Sequence, residues 1–321
     1  MGIRIDVHAH YYTTDFAERM DGLRGRARQR GGAGVAGAGV SIQQRTDMLD
    51  EAGIDVQVIC VGAEQPYFPD NPANAIEAAR FENDYYKETV EKNGGRYSAF
   101  GCVPLPHVDQ AIREAGRCLD ELGFAGINLA CSVAGQPLDT PAFEPFWEEM
   151  NRRSAVVFLH PNMHCDAPMM GDFGLEGTAG GCFEDTIAGL RLTFSGWGSR
   201  FTNLKLIIPH LGGTLPFLWQ RIEDSLGRIR RGGLNVPITE SPTDVLRRFY
   251  YDTVNNGAGA LECTINAVGL DHVLFGTDYP YLTHRECVDS VKNSGLRAEW
   301  IQAVLDENAQ ALLHLPEKAK T

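Results

Sequence analysis

The sequence has no run of eighteen apolar residues, which excludes a helical membrane span. It has no excess of positive charge either: 29 lysines and arginines face 42 aspartates and glutamates, giving a formal net charge of -13 at pH 7. A phosphate-binding surface wants the opposite sign, so no nucleic-acid partner is expected. A small anionic substrate would have to be met by local arginines. Paired cysteines are missing too. Cys60, Cys102, Cys118, Cys131, Cys165, Cys182, Cys263 and Cys287 show no C-x-x-C spacing, the usage of reduced thiols filling a core. The start, MGIRIDVHAH, lacks the apolar core of a signal peptide, and Asp6 stands where a myristoylation pattern needs Ser or Thr. These absences lead us to expect a cytoplasmic protein.

What is present is alternation. Eight short β-prone runs (4–8, 56–61, 97–103, 125–129, 155–160, 204–210, 248–252 and 272–278) are separated by helical patterns at 42–52, 74–92, 109–122, 142–151, 183–200, 214–230, 259–268 and 298–313. Strands alternating with helices imply a parallel sheet with crossover helices. Eight such units fit an α/β fold of the (β/α)8 TIM-barrel type, which takes about 250 residues. An open doubly wound sheet would favour a Gly-rich phosphate turn after the first strand, where this chain has His-Ala-His. Residues 1–321 therefore read as one barrel domain. The stretch 22–40, GLRGRARQRGGAGVAGAGV, breaks the pattern as an extended flexible loop after strand 1, either a lid over the barrel mouth or a simple insertion.

Residues two apart on a strand share a face, so His8 and His10 point the same way, roughly 7 Å apart, with Asp6 on that face. Alone, the pair would read as solvated histidines near a terminus. It does not stand alone. Catalytic side chains in barrels sit at the C-terminal ends of strands, and those ends carry His8 and His10 on strand 1, His160 on strand 5, His210 on strand 6 and Asp278 on strand 8. Four of the nine histidines fall at one rim.

This constellation resembles the amidohydrolase superfamily. The stretches IDVHAH, QQRTDMLDEAGIDVQVI, RYSAFGCVPLP, ELGFAGINLA, VVFLHP, FTNLKLIIPHLGGTLPFLWQRI, FYYDT and VLFGTDYPY resemble, more narrowly, its decarboxylase branch, that of the 2-amino-3-carboxymuconate-6-semialdehyde and resorcylate decarboxylases. The resemblance implies a metal held by His8, His10, His160 and Asp278. His8, where some members have glutamate and favour manganese, argues for one Zn²⁺. Strand 4 offers no lysine for a second ion. His210 is implied as the acid–base group, with Asp278 sharing proton transfer; a fifth ligand or a structural hydrogen bond is the alternative for His210. Arg45 aligns with an arginine that grips the substrate carboxylate. Arg221, eleven residues after His210, matches one that enters the neighbouring subunit's site and so implies a homodimer. Tyr281 and Trp219 are candidate pocket aromatics. His164 reaches the site or is a solvated loop residue, and Asp6 orients a ligand or forms a core ion pair.

Two reactions are compatible with this set. One is non-oxidative decarboxylation of a small unsaturated or aromatic acid. The other is hydrolysis of an amide, lactone or C–C bond. The 161–182 loop departs from the decarboxylase pattern after His-Pro, where a tryptophan is often found, so the substrate is expected to differ from the usual one.

Overall fold

The computed structural model describes residues 2–24, 40–162, 170–254, 257–313 and 315. Eight parallel strands form one sheet in sequence order: β1 (Ile5–His10), β2 (Val56–Cys60), β3 (Tyr97–Gly101), β4 (Gly126–Ala130), β5 (Val156–His160), β6 (Lys205–Ile208), β7 (Tyr250–Asp252) and β8 (Val273–Leu274). The sheet closes where β1 meets the segment after β8. Val7 N–H donates to Phe275 O at 2.9 Å and His10 N–H donates to Tyr279 O at 2.7 Å. Helices connect the strands on the outside, and the result is the expected (β/α)8 barrel.

Local chemistry explains the helix that matters most below. Ile42–Ala52 begins with a capping box, the Ser41 side chain accepting from Gln44 N–H while the Gln44 side chain accepts from Ser41 N–H. It ends on Gly53 in the left-handed region, a conformation that favours glycine. Arg45, Leu49 and Ala52, spaced i, i+4, i+7, form its buried face.

Apolar side chains pack in two clusters. The larger lies between strands and helices and includes Leu49, Ile59, Leu129, Trp147 and Leu206. The smaller gathers Val58, Phe100, Phe158, Ile207 and Leu274 with Leu312 and Leu313 of the last helix. Phe100 and Phe158 stack at 5.4 Å, and the His8 ring rests 4.9 Å from Phe158. Each such fully buried side chain contributes about 1.5–3 kcal/mol, so the histidines stand on a packed surface.

Three details differ from expectation. The register of β1 on β2 shifts between Asp6 and Ala9, a bulge that breaks strict alternation. Asp6 accordingly pairs with Gln57 and Thr277 and is not on one face with the imidazoles. Helices at Thr14–Leu23, Pro242–Leu246 and His284–Lys292 were not expected. Of the expected lid, residues 25–39 lie outside the described residues.

Candidate metal centre

β1 delivers His8 and His10, β5 delivers His160, and the turn after β8 delivers Asp278. One ligand atom from each lies within 4.8 Å of all the others. The ring centroids of His10 and His160 are 4.6 Å apart, those of His8 and His160 5.3 Å. Asp278 Oδ1 lies 3.1 Å from His8 Nε2 and 2.9 Å from His10 Nε2. No other such cluster occurs among the described residues.

Each ring is aimed by what holds its other side. His8 Nδ1 is bound to Asp252 Oδ2 at 2.7 Å, leaving Nε2 buried and facing only Asp278 Oδ1 at 3.1 Å. A metal ion fits at that nitrogen once its proton is displaced. His160 Nδ1 donates to Pro161 O at 2.8 Å, again freeing Nε2. The His10 ring lies against Gly62, where an added Cβ would come within 2.4 Å of His10 Cε1. Only glycine fits there, and its φ of +55° is left-handed as well.

The electrostatics suit a cation. Burial pushes His10 and His160 down, the latter well below the ordinary imidazole range, so both are neutral. Burial opposes ionisation of Asp278, yet His8, His10 and His210 outweigh it and hold the carboxyl well below its usual range. For His8 burial is likewise outweighed, here by Asp252 and Asp278, and the ring rises to about 9. A metal must therefore displace a proton from His8. Three imidazoles and one carboxylate are a fitting donor set for a divalent transition metal.

His210 follows β6 with φ +55°, starting a left-handed run through Leu211, Gly212 and Gly213. Its backbone N–H donates to Asp252 Oδ1 at 2.9 Å. Its Nδ1 is bound to Asp185 Oδ2 at 2.7 Å, and its Nε2 lies 3.8 Å from Asp278 Oδ2. Burial opposes the charged ring, but Asp185 and Asp278 raise His210 well above the ordinary range. A cavity of about 260 Å³ opens above these groups, lined by His160, His210 and Asp278 together with Tyr12, Cys182 and Tyr281.

The family model for amidohydrolases matches residues 5–315. The chain belongs to the amidohydrolase family. Among curated relatives, the 2-amino-3-carboxymuconate-6-semialdehyde decarboxylase of Dictyostelium discoideum is 29% identical over 253 residues, 77% of this chain and 70% of that protein. The gamma-resorcylate decarboxylase of a Polaromonas strain is 28% identical over 284 residues, 85% of this chain and 87% of that protein. Among solved structures, a dihydroxybenzoic acid decarboxylase from Polaromonas, with bound manganese and 2-nitroresorcinol, has a TM-score of 0.85 at 26% identity and covers 100% of both chains. The 5-carboxyvanillate decarboxylase of Sphingomonas paucimobilis has a TM-score of 0.87 at 21% identity, covers 98% of this chain and 100% of its own, and supports the fold alone.

In this amidohydrolase the remaining expected residues differ in their access to the cavity. Arg45 is 3% exposed and absent from the cavity lining; its Nε donates to Gln57 Oε1 at 2.6 Å and its Nη1 to His10 O at 2.8 Å. The helix that carries it turns the arginine inward, where it meets the Gln57 amide and the main chain of His10. Arg221 is exposed on the helix Trp219–Arg231. Tyr281 stands at the cavity rim, 62% exposed, with its ring 5.9 Å from His10. Trp219 is half-buried and does not line the cavity. His164 lies outside the described residues.

Sequence reasoning missed Asp252 and Asp185. Asp252 closes β7 in FYYDT, so the strand-end rule that found the histidines was enough to find it. Asp185 had no such signal, being carried by the helix Gly181–Phe194.

Proposed function

We propose that this amidohydrolase is a zinc-dependent, non-oxidative decarboxylase of a small aromatic or unsaturated carboxylic acid. The observation that carries the reading is the convergence of His8 Nε2 with His10, His160 and Asp278, ligand atoms within 4.8 Å of one another, at the floor of a cavity with His210 on its wall. The relatives named above support the reaction class, and the predominance of imidazole over carboxylate favours zinc, although the Polaromonas structure holds manganese.

When bound, the divalent ion supplies a Lewis acid for a substrate oxygen beside the departing carboxylate. His210 presents Nε2 to the cavity while Asp185 holds Nδ1. As the C–C bond to the carboxylate breaks, its electron pair stays on the ring or alkene carbon. That carbon takes a proton from His210 Nε2. Asp278, held ionised beside His210, passes protons on its Oδ2 side. Tyr12 and Tyr281 supply flat walls for an unsaturated substrate; the Tyr12 hydroxyl itself donates to Val61 O at 2.6 Å.

We read residues 1–321 as one catalytic domain acting as a homodimer. Phe217 is 85% exposed, and Phe183 and Ile187 are exposed one turn apart on a helix joined to the His210 loop by the Thr186–Thr214 hydroxyl contact. Apolar surface of this kind is ordinarily covered by a partner. Such an interface would let Arg221 meet an anionic substrate in the neighbouring cavity. None of the seven described cysteines is paired in a disulfide, in keeping with a cytoplasmic location.

The test follows candidate acids in ¹⁸O-water. Decarboxylation releases CO₂ and leaves no solvent oxygen in the organic product; solvent oxygen in that product would mean hydrolysis. Full activity in a dilute monomer would count against the shared site.

A further inference from the structure

Beneath the metal centre lies a buried polar network whose role the reaction does not assign. Arg45, Gln57, Asp6, Thr277 and His284 are all 4% exposed or less. Gln57 is the hub. Its Oε1 accepts from Arg45 Nε at 2.6 Å, and its Nε2 donates to Asp6 Oδ2 at 2.7 Å and faces His284 Nε2 at 2.8 Å. Arg45 and Asp6 do not touch; the amide stands between them.

The ends of the network all reach one place. Asp6 Oδ1 accepts from His8 N–H at 3.1 Å and from Thr277 N–H at 3.0 Å, and Asp6 Oδ2 accepts from Thr277 Oγ1 at 2.7 Å. Arg45 Nη1 donates to His10 O. The Arg45 guanidinium lies 4.6 Å from the Tyr279 ring centroid, and the His284 ring stacks on Tyr279 at 4.2 Å, so Tyr279 is held as well. Thr277 and Tyr279 flank Asp278. Every tie therefore lands on a residue that is a metal ligand or adjoins one.

This is also the seam where the barrel closes. β8 is only two residues long, and the chain from Phe275 to Tyr279 has no strand ladder of its own beyond single bonds to β1. Three of the four ligands sit across that seam. Buried charges are weak evidence for stability, because apolar side chains of the same volume often serve as well. What they provide here is fixed main-chain geometry. We propose that Arg45, Gln57 and Asp6 are positioning residues that clamp the seam and set the spacing of His8, His10 and Asp278 for the metal.

The proposal rests on the metal-centre reading, and its test separates the two. Zinc affinity is measured by competition with a chromophoric chelator for the wild type, Arg45→Met, Arg45→Lys, Gln57→Met and Asp6→Asn, with thermal unfolding of each metal-free protein alongside. Phe146→Leu, in a buried position on the outer helix Glu144–Arg152, is the control for plain destabilisation. The folded seam variants should bind zinc about 10- to 100-fold more weakly, with Arg45→Lys recovering part of the loss. Phe146→Leu should lower Tm and leave affinity unchanged. Folded Arg45→Met and Gln57→Met with wild-type affinity would overturn the proposal; if one fails to fold, the other decides. A wild type that binds no metal would instead overturn the underlying reading.

Discussion

The floor of the cavity and its rim are built by opposite rules. At the floor, His8, His10 and His160 are at most 5% exposed, and His8 and His160 are tied through the ring nitrogen that points away from the site. At the rim, Tyr281 is 62% exposed, Gly177 is exposed and Cys182 is half-buried. A metal centre needs donors held in place before the ion arrives, whereas a substrate wall must admit and release its ligand. The floor thus fixes the chemistry, and the rim selects what is brought to it.

Substitutions should separate the two regions by size of effect. His210→Asn should cut kcat on the order of 10²–10⁴-fold, the usual worth of a positioned acid–base group, with metal content intact. Asp185→Asn, which removes the negative charge beside His210 Nδ1, should lower kcat by a smaller factor, leave KM and metal nearly unchanged, and lower the His210 pKa seen by ¹⁵N NMR. At the rim, Tyr281→Phe or Tyr281→Leu should move KM more than kcat. A large kcat loss at Tyr281 with unchanged KM would erase the distinction between floor and rim.

Away from both regions, pH offers a smaller test. Burial pushes the Glu82 carboxyl from 4.5 up to about 8, only partly offset by the Tyr86 hydroxyl. An acid with a raised folded pKa binds its proton more tightly when folded. Its contribution is intact below the unfolded value and is lost as pH rises to about 8. Glu82→Gln should therefore gain Tm relative to wild type above pH 8, worth a few kcal/mol at most, and the gain should shrink towards pH 5. An equal Tm difference at both pH values would refute this.

Much of the floor was legible in the sequence because barrel strands deliver side chains at fixed ends. The same rule located His8, His10, His160, His210 and Asp278 without any contact information. It failed for Asp6, because a bulge in β1 changes the face and leaves no local mark. It failed for Asp185, whose link to His210 spans two elements. For Arg45 the motif fixes which helix face the arginine occupies but not what lies beneath that face, so its bonds to Gln57 and His10 were not legible. The rim was least legible, being built from turns and glycines whose positions depend on packing.

Metal content set against turnover tests the central claim most directly. Purified protein should carry about one divalent ion per chain, His8→Ala and Asp278→Ala should carry none, and only the loaded protein should release CO₂. Normal turnover from a demonstrably metal-free preparation would contradict the account.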